Sequence, residues 1–489
     1  MPKAREVVLL FLIALATSIG LRAFSLTTPY FCWDEHDYIA HNIYHRLILG
    51  AFEIPFSNKW PLGHAIIYFL TTGQDPFSIW PYRVATSLVD AFTALFLALL
   101  ACPGKEANRN RYLAAVLFSA ALSVALRSSP GILAENLANP FLALGALCLQ
   151  NLRSPAKAAL FSVPLFACAC WVKPTAVFPG LFMVGAYFWG IRKNQKAILV
   201  FAGVVFVSLS TSVGVFFFNS LWGSGNLMPS AWEYNLSGSV FRTHPAHEYL
   251  DVVFTGVAFF QFLFPWLIFC FFLLVSGDER RRHWLPCLWV CGALASLALR
   301  PAGAQTSYWL YTLPPLMCLG WLGYIKISSL FSQKDRAILS CFLLFPIAYG
   351  WMVNLAGPAL GLQPGGRGGL RQIQTQVADL EPALHALQNH PRYQEKQSRL
   401  FLWGMPWQIF YLGRCVPASS LLTSESWTYG IQQKKQRQWI AQGLAKADFV
   451  WVDEGPGSDE IRMALTGLFE SFYQETGRAL YARIHPPLQ

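Results

Sequence analysis

Between residues 30 and 50 the chain reads YFCWDEHDYIAHNIYHRLILG, which sets Asp34, Glu35 and Asp37 among His36, His41 and His45. A carboxylate can take the proton of an attacking hydroxyl, and an imidazole can relay a proton or ligate a metal. If residues 33–48 are helical, Asp34, Asp37, Tyr38 and His41 share one face by three- and four-residue spacing, and Glu35 points elsewhere. Four readings fit these residues: a solvated loop, a metal site, a proton path, or an acid/base centre. Residue type and spacing leave all four open. Glu53 and Asp75 are further acids in the same stretch between apolar runs.

A second group follows in NKWPLGHAIIYFL, with Asn58, Lys59, Pro61, His64 and Tyr68. An ammonium held beside a carboxylate under a lipid-exposed opening would offset negative charge on a leaving phosphate. At the headgroups the same lysine would only anchor a helix, and spacing does not separate the two roles. Pro61 is suited to the first turn of the helix that follows. At the edges of later apolar runs, Arg127, Glu135 and Asn136 surround the 127–132 turn, WVKPT carries Lys173, and QTSYWLYTLP carries Tyr308 and Tyr311. Ionisable groups near membrane depth are costly to desolvate unless paired or hydrated, which makes them functional candidates. Glu135 could instead simply pair with Arg127 or Lys173, and the tyrosines could be interfacial anchors or core.

The elements that position these residues are mostly apolar. Of 489 residues, 54% are hydrophobic and 13% charged, against about a quarter charged in soluble proteins. A crossing takes roughly 20 apolar residues, and the sequence predicts eleven spans: 7–24, 82–100, 112–127, 132–149, 158–172, 175–190, 197–218, 251–275, 285–299, 306–325 and 337–354. The first span is expected to be a retained signal anchor. Basic residues gather in alternate loops (Lys3 and Arg5; Lys105, Arg109 and Arg111; Arg153 and Lys157; Arg192, Lys193 and Lys196; Arg280–Arg282; Lys326, Lys334 and Arg336), whereas the opposite loops carry isolated Arg46, Lys59, Lys173, Arg242 and Arg300. That asymmetry puts the N-terminus on the cytoplasmic side. The net charge of +11 is therefore a topology signal and not a nucleic-acid footprint. The 11 Cys lie mostly in apolar runs as fillers, with Cys32 and Cys415 on the outside.

Two outside loops, 25–81 and 219–250, are long; the first is expected to hold juxtamembrane helices. The expected domains are a membrane domain over 1–354, a Gly/Pro-rich linker over 355–370, and an outside α/β module over 371–489. Within the module, SRLFLWG and ADFVWVDEG read as strands, and DEIRMALTGLFESFYQ, after Ser458, as one capped amphipathic helix.

These motifs, in this order and sidedness, resemble the polytopic GT-C glycosyltransferases, notably the bacterial branch of aminoarabinose transferases and protein-mannosyltransferase-like enzymes. The residues that carry the resemblance are Asp34-Glu35 soon after the first span, the segment centred on Lys59, PYRVATSL with Arg83, WVKPTAVFPG around Lys173, TSYWLYTLPPL, and SRLFLWGMPWQIFYLGRCVPAS in the tail. The resemblance implies a GT-C-like fold and transfer of a sugar from a polyprenyl-phosphate donor to a hydroxyl of a lipid, glycan or protein. It implies Asp34, or Glu35, as the group that activates the hydroxyl. Lys59, Arg83 and Lys173 would contact the donor phosphate, while Tyr38, His64, Glu135, Tyr308 and Tyr311 would line the substrates. Direct attack would invert the anomeric centre. The setting would be a bacterial inner or plasma membrane, with the tail periplasmic or extracellular. A divalent metal is an expectation without assigned ligands: His36, His41 and His64 are candidates, and this chain has Asn58 where aminoarabinose transferases have a glutamate before the lysine.

Two other readings compete. A transporter of an anionic or lipid-linked substrate could use Glu135, Lys173 and Arg300, although no internal repeat of the transporter kind stands out. A polysaccharide ligase would share the lipid-linked donor and the outside site.

Overall fold

The computed structural model describes residues 3–23, 26, 33–50, 61–103, 108–125, 131–152, 154–191, 194–222, 246–260, 263–275, 284–299, 306–356, 370–404, 408–419, 433–455 and 457–485. The apolar runs are helical. In chain order the first helices are α1 (Ala4–Arg22), α2 (Trp33–Tyr44, prolonged by a π turn over His45–Leu49), α3 (Pro61–Leu70), α4 (Trp80–Ala101), α5 (Asn108–Val124), α6 (Ala134–Asn151) and α7 (Pro155–Val172). A 3₁₀ turn at Pro174–Ala176 leads into α8 (Val177–Ile191), followed by α9 (Gln195–Trp222), α10 (Ala246–Phe260), α11 (Phe264–Val275) and α12 (Trp284–Leu299). A 3₁₀ turn over Thr306–Tyr311 precedes α13 (Leu313–Ser328), and α14 (Gln333–Gly350) runs into a π turn, Trp351–Ala356.

The chain is thus a polytopic helical membrane protein. Among the described residues, five helical segments are long and apolar enough to cross a bilayer, namely Ala4–Arg22, Trp80–Ala101, Pro155–Val172, Pro174–Ile191 and Gln333–Asn354. The sequence predicts about eleven. Part of the difference lies in how apolar runs are cut. The expected span 251–275 is two helices, α10 and α11, of 15 and 12 residues, and the run at 306–325 spends its first six residues in a 3₁₀ turn. Pro314 and Pro315 then occupy the first turn of α13, where a missing N–H costs nothing.

Packing divides the chain into two units: Met1–Pro29, Arg83–Val215 and Thr243–Pro364 form one, and Tyr30–Tyr82, Phe216–Arg242 and Gly365–Gln489 the other. In the helical unit, Arg22 of α1 and Asp90 of α4 make a buried ion pair at 2.5 Å. Arg22 also donates to Ser18 Oγ and, at 3.3 Å, to Ser87 Oγ. Ser123 Oγ of α5 donates to Ser18 Oγ at 3.0 Å, and Ser119 Oγ to the Ala14 carbonyl at 2.6 Å. Lipid offers polar groups no water, so hydroxyls and charges on neighbouring helices satisfy one another. Elsewhere small residues allow close approach: a Cβ on Gly323 of α13 would run into the Phe269 carbonyl of α11.

The second unit holds a five-stranded sheet with β1 (Arg399–Trp403), β2 (Val416–Pro417), β3 (Phe449–Asp453), β4 (Phe469–Glu475) and β5 (Arg478–Arg483), in the order β2-β1-β3-β5-β4. β2, β1 and β3 are parallel, and β5 and β4 antiparallel to their neighbours. The two strands expected from SRLFLWG and ADFVWVDEG are β1 and β3, and their Phe401, Trp403, Val450 and Val452 build the core with Ile440, Leu444, Ile461 and Leu465. The single helix expected after Ser458 is a correction. The helix stops at Leu465, and residues 469–475 form β4. Gly467 takes φ +77, a left-handed conformation that breaks the helix and turns the chain into the strand. The helix opens on Gly457, and its N-terminus has no side-chain cap.

Candidate functional site

Helix α2 carries the acid–histidine segment. Every residue from Glu35 to His45 is buried, on all faces of the helix. Glu35, His36, Asp37, Tyr38, His41, Asn42 and His45 are each at most 3% exposed. The solvated-loop reading of these residues is therefore overturned. Charged groups removed from water are found paired, hydrogen-bonded or ligating.

Asp37 is the hub. Its Oδ1 lies 3.0 Å from Nδ1 of His41, one turn along α2, and its Oδ2 lies 3.6 Å from Nε2 of His64 on α3. His41 Nδ1 is also 2.8 Å from the Asp37 carbonyl. The ring of His64 packs against those of Tyr38 and His41 at centroid distances of 4.6 and 4.8 Å. α3 approaches closely because its third residue is glycine: a Cβ at Gly63 would fall 2.7 Å from the Tyr38 hydroxyl. On the next turn, Asn42 Nδ2 donates to Thr71 Oγ1 at 3.0 Å and to the Tyr82 hydroxyl at 2.7 Å, and that hydroxyl donates to the Pro76 carbonyl at 3.0 Å. Burial, with a smaller push from His41, drives the His45 pKa down to about 3, so this ring is neutral at physiological pH.

The β module meets the same segment. His36 stacks on Tyr411 at 5.9 Å. Asp75 accepts from Lys396 at 3.0 Å and Arg414 at 3.1 Å, and both cations also lie 5.9 Å from the Phe77 ring. Burial is the largest single influence on Asp75 and raises its pKa. The Lys396 hydrogen bond, the Phe77 amide and the charges of Lys396 and Arg414 together outweigh it and hold the carboxyl below its ordinary value.

The donor set Asp37, His41 and His64 could hold a divalent metal, since one ligating atom from each lies within 4.8 Å of the others. The fit is supported by His41 itself. Its Nδ1 is engaged with Asp37, while its Nε2 is buried with no hydrogen-bond partner among the described residues. That is the arrangement of a ligating imidazole, whose second nitrogen is fixed by a carbonyl or carboxylate.

The helical unit contains a second polar group. Glu135, fully buried in the first turn of α6, forms an ion pair with Lys173, which is 15% exposed in the extended link after α7. Glu135 Oε2, both polar atoms of the Asn136 side chain, Asn139 Oδ1 and Thr175 Oγ1 are buried without hydrogen-bond partners among the described residues. Asn139 Nδ2 donates to the Leu310 carbonyl at 3.3 Å, next to buried Tyr311. Of the two partners open to Glu135 in the sequence, Lys173 is the one it meets, whereas Arg127 lies outside the described residues.

The remaining sequence candidates are distributed as follows. Arg83 is buried in the first turn of α4. The backbones of Asp34 and Tyr308 belong to α2 and to the 3₁₀ turn, while their side chains are outside the described set. Lys59, Asn58, Glu53, Cys32, Arg300, the linker from 357 to 369 and most of the 219–250 loop also fall outside the described residues. Cys415 is a free thiol, buried in the module. The structure adds Arg22 and Asp90 as buried polar groups that the sequence candidates did not include, and it buries Asp37, His41 and Asn136, which the sequence had singled out. For Asp37 and His41 the three- and four-residue spacing was the available signal.

The chain shares its fold with solved membrane proteins. The chain matches the crystal structure of ArnT from Cupriavidus metallidurans bound to undecaprenyl phosphate over 99% of both chains, with TM-score 0.62 and 13% sequence identity. The apo state of that protein matches over 97% of both chains, with TM-score 0.58 and 14% identity. The apo oligosaccharyltransferase of Archaeoglobus fulgidus matches over 99% of this chain and 75% of its own, with TM-score 0.50 and 12% identity. No protein-family model and no curated protein matches the sequence.

Proposed function

We propose that the chain is a GT-C-type glycosyltransferase that moves a sugar from a polyprenyl-phosphate donor to a hydroxyl of a lipid, glycan or protein acceptor. The observation that carries this reading is the likeness of fold, over 99% of both chains, to a protein bound to undecaprenyl phosphate. A buried acid–histidine helix immediately after the first membrane helix supports it.

In this reading Asp34, or Glu35 beside it, takes the proton of the acceptor hydroxyl as its oxygen attacks the anomeric carbon. The bond from that carbon to the phosphate oxygen breaks, the configuration inverts, and the lipid phosphate leaves. Lys59, Arg83 and Lys173 offset its charge, and Tyr38, His64, Glu135, Tyr308 and Tyr311 line the substrates. Lys173 does so as the partner of Glu135, which leaves the pair neutral overall. A divalent cation on Asp37, His41 and His64 would add positive charge to the helix that carries the base.

The reading includes the shorter apolar helices as further crossings, towards eleven in all. It also includes a cytoplasmic N-terminus, a membrane domain over 1–354, a linker over 355–370, and an outside module over 371–489 in a bacterial inner or plasma membrane. The test is incubation of the purified full chain with undecaprenyl-phosphate-linked sugars and cell-envelope acceptors. Release of undecaprenyl phosphate together with a glycosylated acceptor is expected. Intact donor with folded protein across the sugars tried, or passage of uncleaved donor across a vesicle, would overturn the reading in favour of transport.

A further inference from the structure

We propose that Asp37, His41 and His64 bind one zinc-class divalent cation, which clasps α3 to α2. The inference deepens the functional reading, because the clasp lies on the helix of Asp34 and Glu35. The occupancy of the site is nonetheless measurable whether or not sugar is transferred.

The donor chemistry selects the ion. Two imidazole nitrogens and one carboxylate oxygen suit Zn²⁺ or Co²⁺, whereas Mg²⁺ and Ca²⁺ favour all-oxygen shells. The spacing agrees. With metal–ligand bonds of about 2.0–2.1 Å, neighbouring ligands of a tetrahedral ion stand roughly 3.3 Å apart. Asp37 Oδ2 and His64 Nε2 are 3.6 Å apart, and each of the three residues offers a ligating atom within 4.8 Å of the others. Three protein ligands leave a fourth position for water or another oxygen ligand.

Tautomer and burial point the same way. With Nδ1–H donated to the Asp37 carbonyl at 2.8 Å, His41 carries its lone pair on Nε2, the atom that has no hydrogen-bond partner among the described residues. Its side chain is 1% exposed, so bulk water does not serve it. A structure that buries an imidazole lone pair beside a carboxylate and a second imidazole has built an acceptor-rich pocket, which suits a cation.

The clasp has a positional consequence. Two ligands sit one turn apart on α2, and the third is the fourth residue of α3. α3 begins two residues after Lys59. An ion joining the helices would therefore hold the start of α3 against the helix of the proposed base.

The experiment uses the full chain in detergent, stripped with chelator and dialysed against Zn²⁺, Co²⁺ or Mg²⁺, with metal per chain measured by mass spectrometry. One Zn²⁺ or Co²⁺ per chain is expected, with visible Co²⁺ absorption of a tetrahedral nitrogen/oxygen site and no displacement by excess Mg²⁺. Loss of an outer-shell partner already weakens metal sites by about 10–100-fold, so His41→Ala and His64→Ala should each weaken binding at least about tenfold. His45→Ala should bind as the wild type does. If the alanine variants do not fold, Asp37→Asn and the Co²⁺ spectrum of the wild type decide. The proposal is overturned if folded wild type takes up no more Zn²⁺ than the variants, if Mg²⁺ binds equally well, or if the tetrahedral Co²⁺ spectrum is absent. Metal binding without transfer would count against the functional reading alone, and transfer without metal binding against the clasp alone.

Discussion

Nδ1 of His41 sits 3.0 Å from the Asp37 carboxylate and 2.8 Å from the Asp37 carbonyl, within one turn of a helix that is buried on every face. An i,i+4 pair of this kind on a surface would add a few tenths of a kcal/mol. Here it fixes an imidazole where water does not reach, and the packing that excludes the water is itself testable.

Gly63 is the point of closest approach between α3 and Tyr38. Gly63→Ala would put a Cβ 2.7 Å from the Tyr38 hydroxyl, 3.3 Å from Cε1 and 3.4 Å from Cζ. Overpacking of this type costs about 1–3 kcal/mol. Thermal unfolding in detergent should show a lower midpoint for Gly63→Ala and partial recovery when Tyr38→Phe removes the nearest atom. An unchanged midpoint would mean that α3 shifts freely.

The buried pair of Arg22 and Asp90 is tested by unequal single and double substitutions. Arg22→Met or Asp90→Leu alone strands a buried charge and should cost about 3–5 kcal/mol, whereas the double substitution should recover most of that loss. Additive midpoint losses would contradict the pairing.

Asp75 gives a pH signature with a definite sign. Its carboxyl is held below the ordinary value of 3.8 in the folded protein. The ionised form is therefore favoured by folding, and its contribution is fully present above about pH 4 and is lost as the pH falls through the depressed folded value. Asp75 is 39% exposed, so the effect is screened and modest. The difference in unfolding midpoint between wild type and Asp75→Asn should be flat from pH 7 to about pH 4 and close below that. A difference that changes between pH 5 and 7 would assign it to another group.

How far these features could be read in advance depended on range. Apolar runs announced the helices, because hydropathy is a local property. The break between α10 and α11 and the 3₁₀ start before α13 escaped, because a few polar residues and prolines barely lower the mean hydropathy of a long apolar run. β1 and β3 were legible as short β-branched and aromatic runs. β4 was hidden in a pattern that also fits a helix, and the turn at Gly467 decided against it. In the site, the common face of Asp37 and His41 followed from helical spacing. Their meeting with His64, 23 residues beyond His41, needed tertiary packing. The Arg22–Asp90 pair left only a weak trace, one charge in each of two apolar runs 68 residues apart.

The Glu135–Lys173 pair separates charge balance from phosphate binding. Lys173→Met leaves the buried Glu135 carboxylate without its cation and should lower both stability and transfer. Adding Glu135→Gln should restore the unfolding midpoint, while transfer stays down by about tenfold or more, the scale of one removed charge-stabilising donor. Recovery of both would limit Lys173 to neutralising Glu135.

The most direct test of the account is sugar transfer from undecaprenyl-phosphate donors by wild type, Asp34→Asn and Glu35→Gln, each with its fold checked by unfolding midpoint. General-base catalysis contributes about 10²–10⁴-fold. The account predicts transfer by the wild type and a loss of at least about 100-fold in Asp34→Asn, or in Glu35→Gln if that neighbour is the base. Undiminished transfer by both folded variants would contradict it.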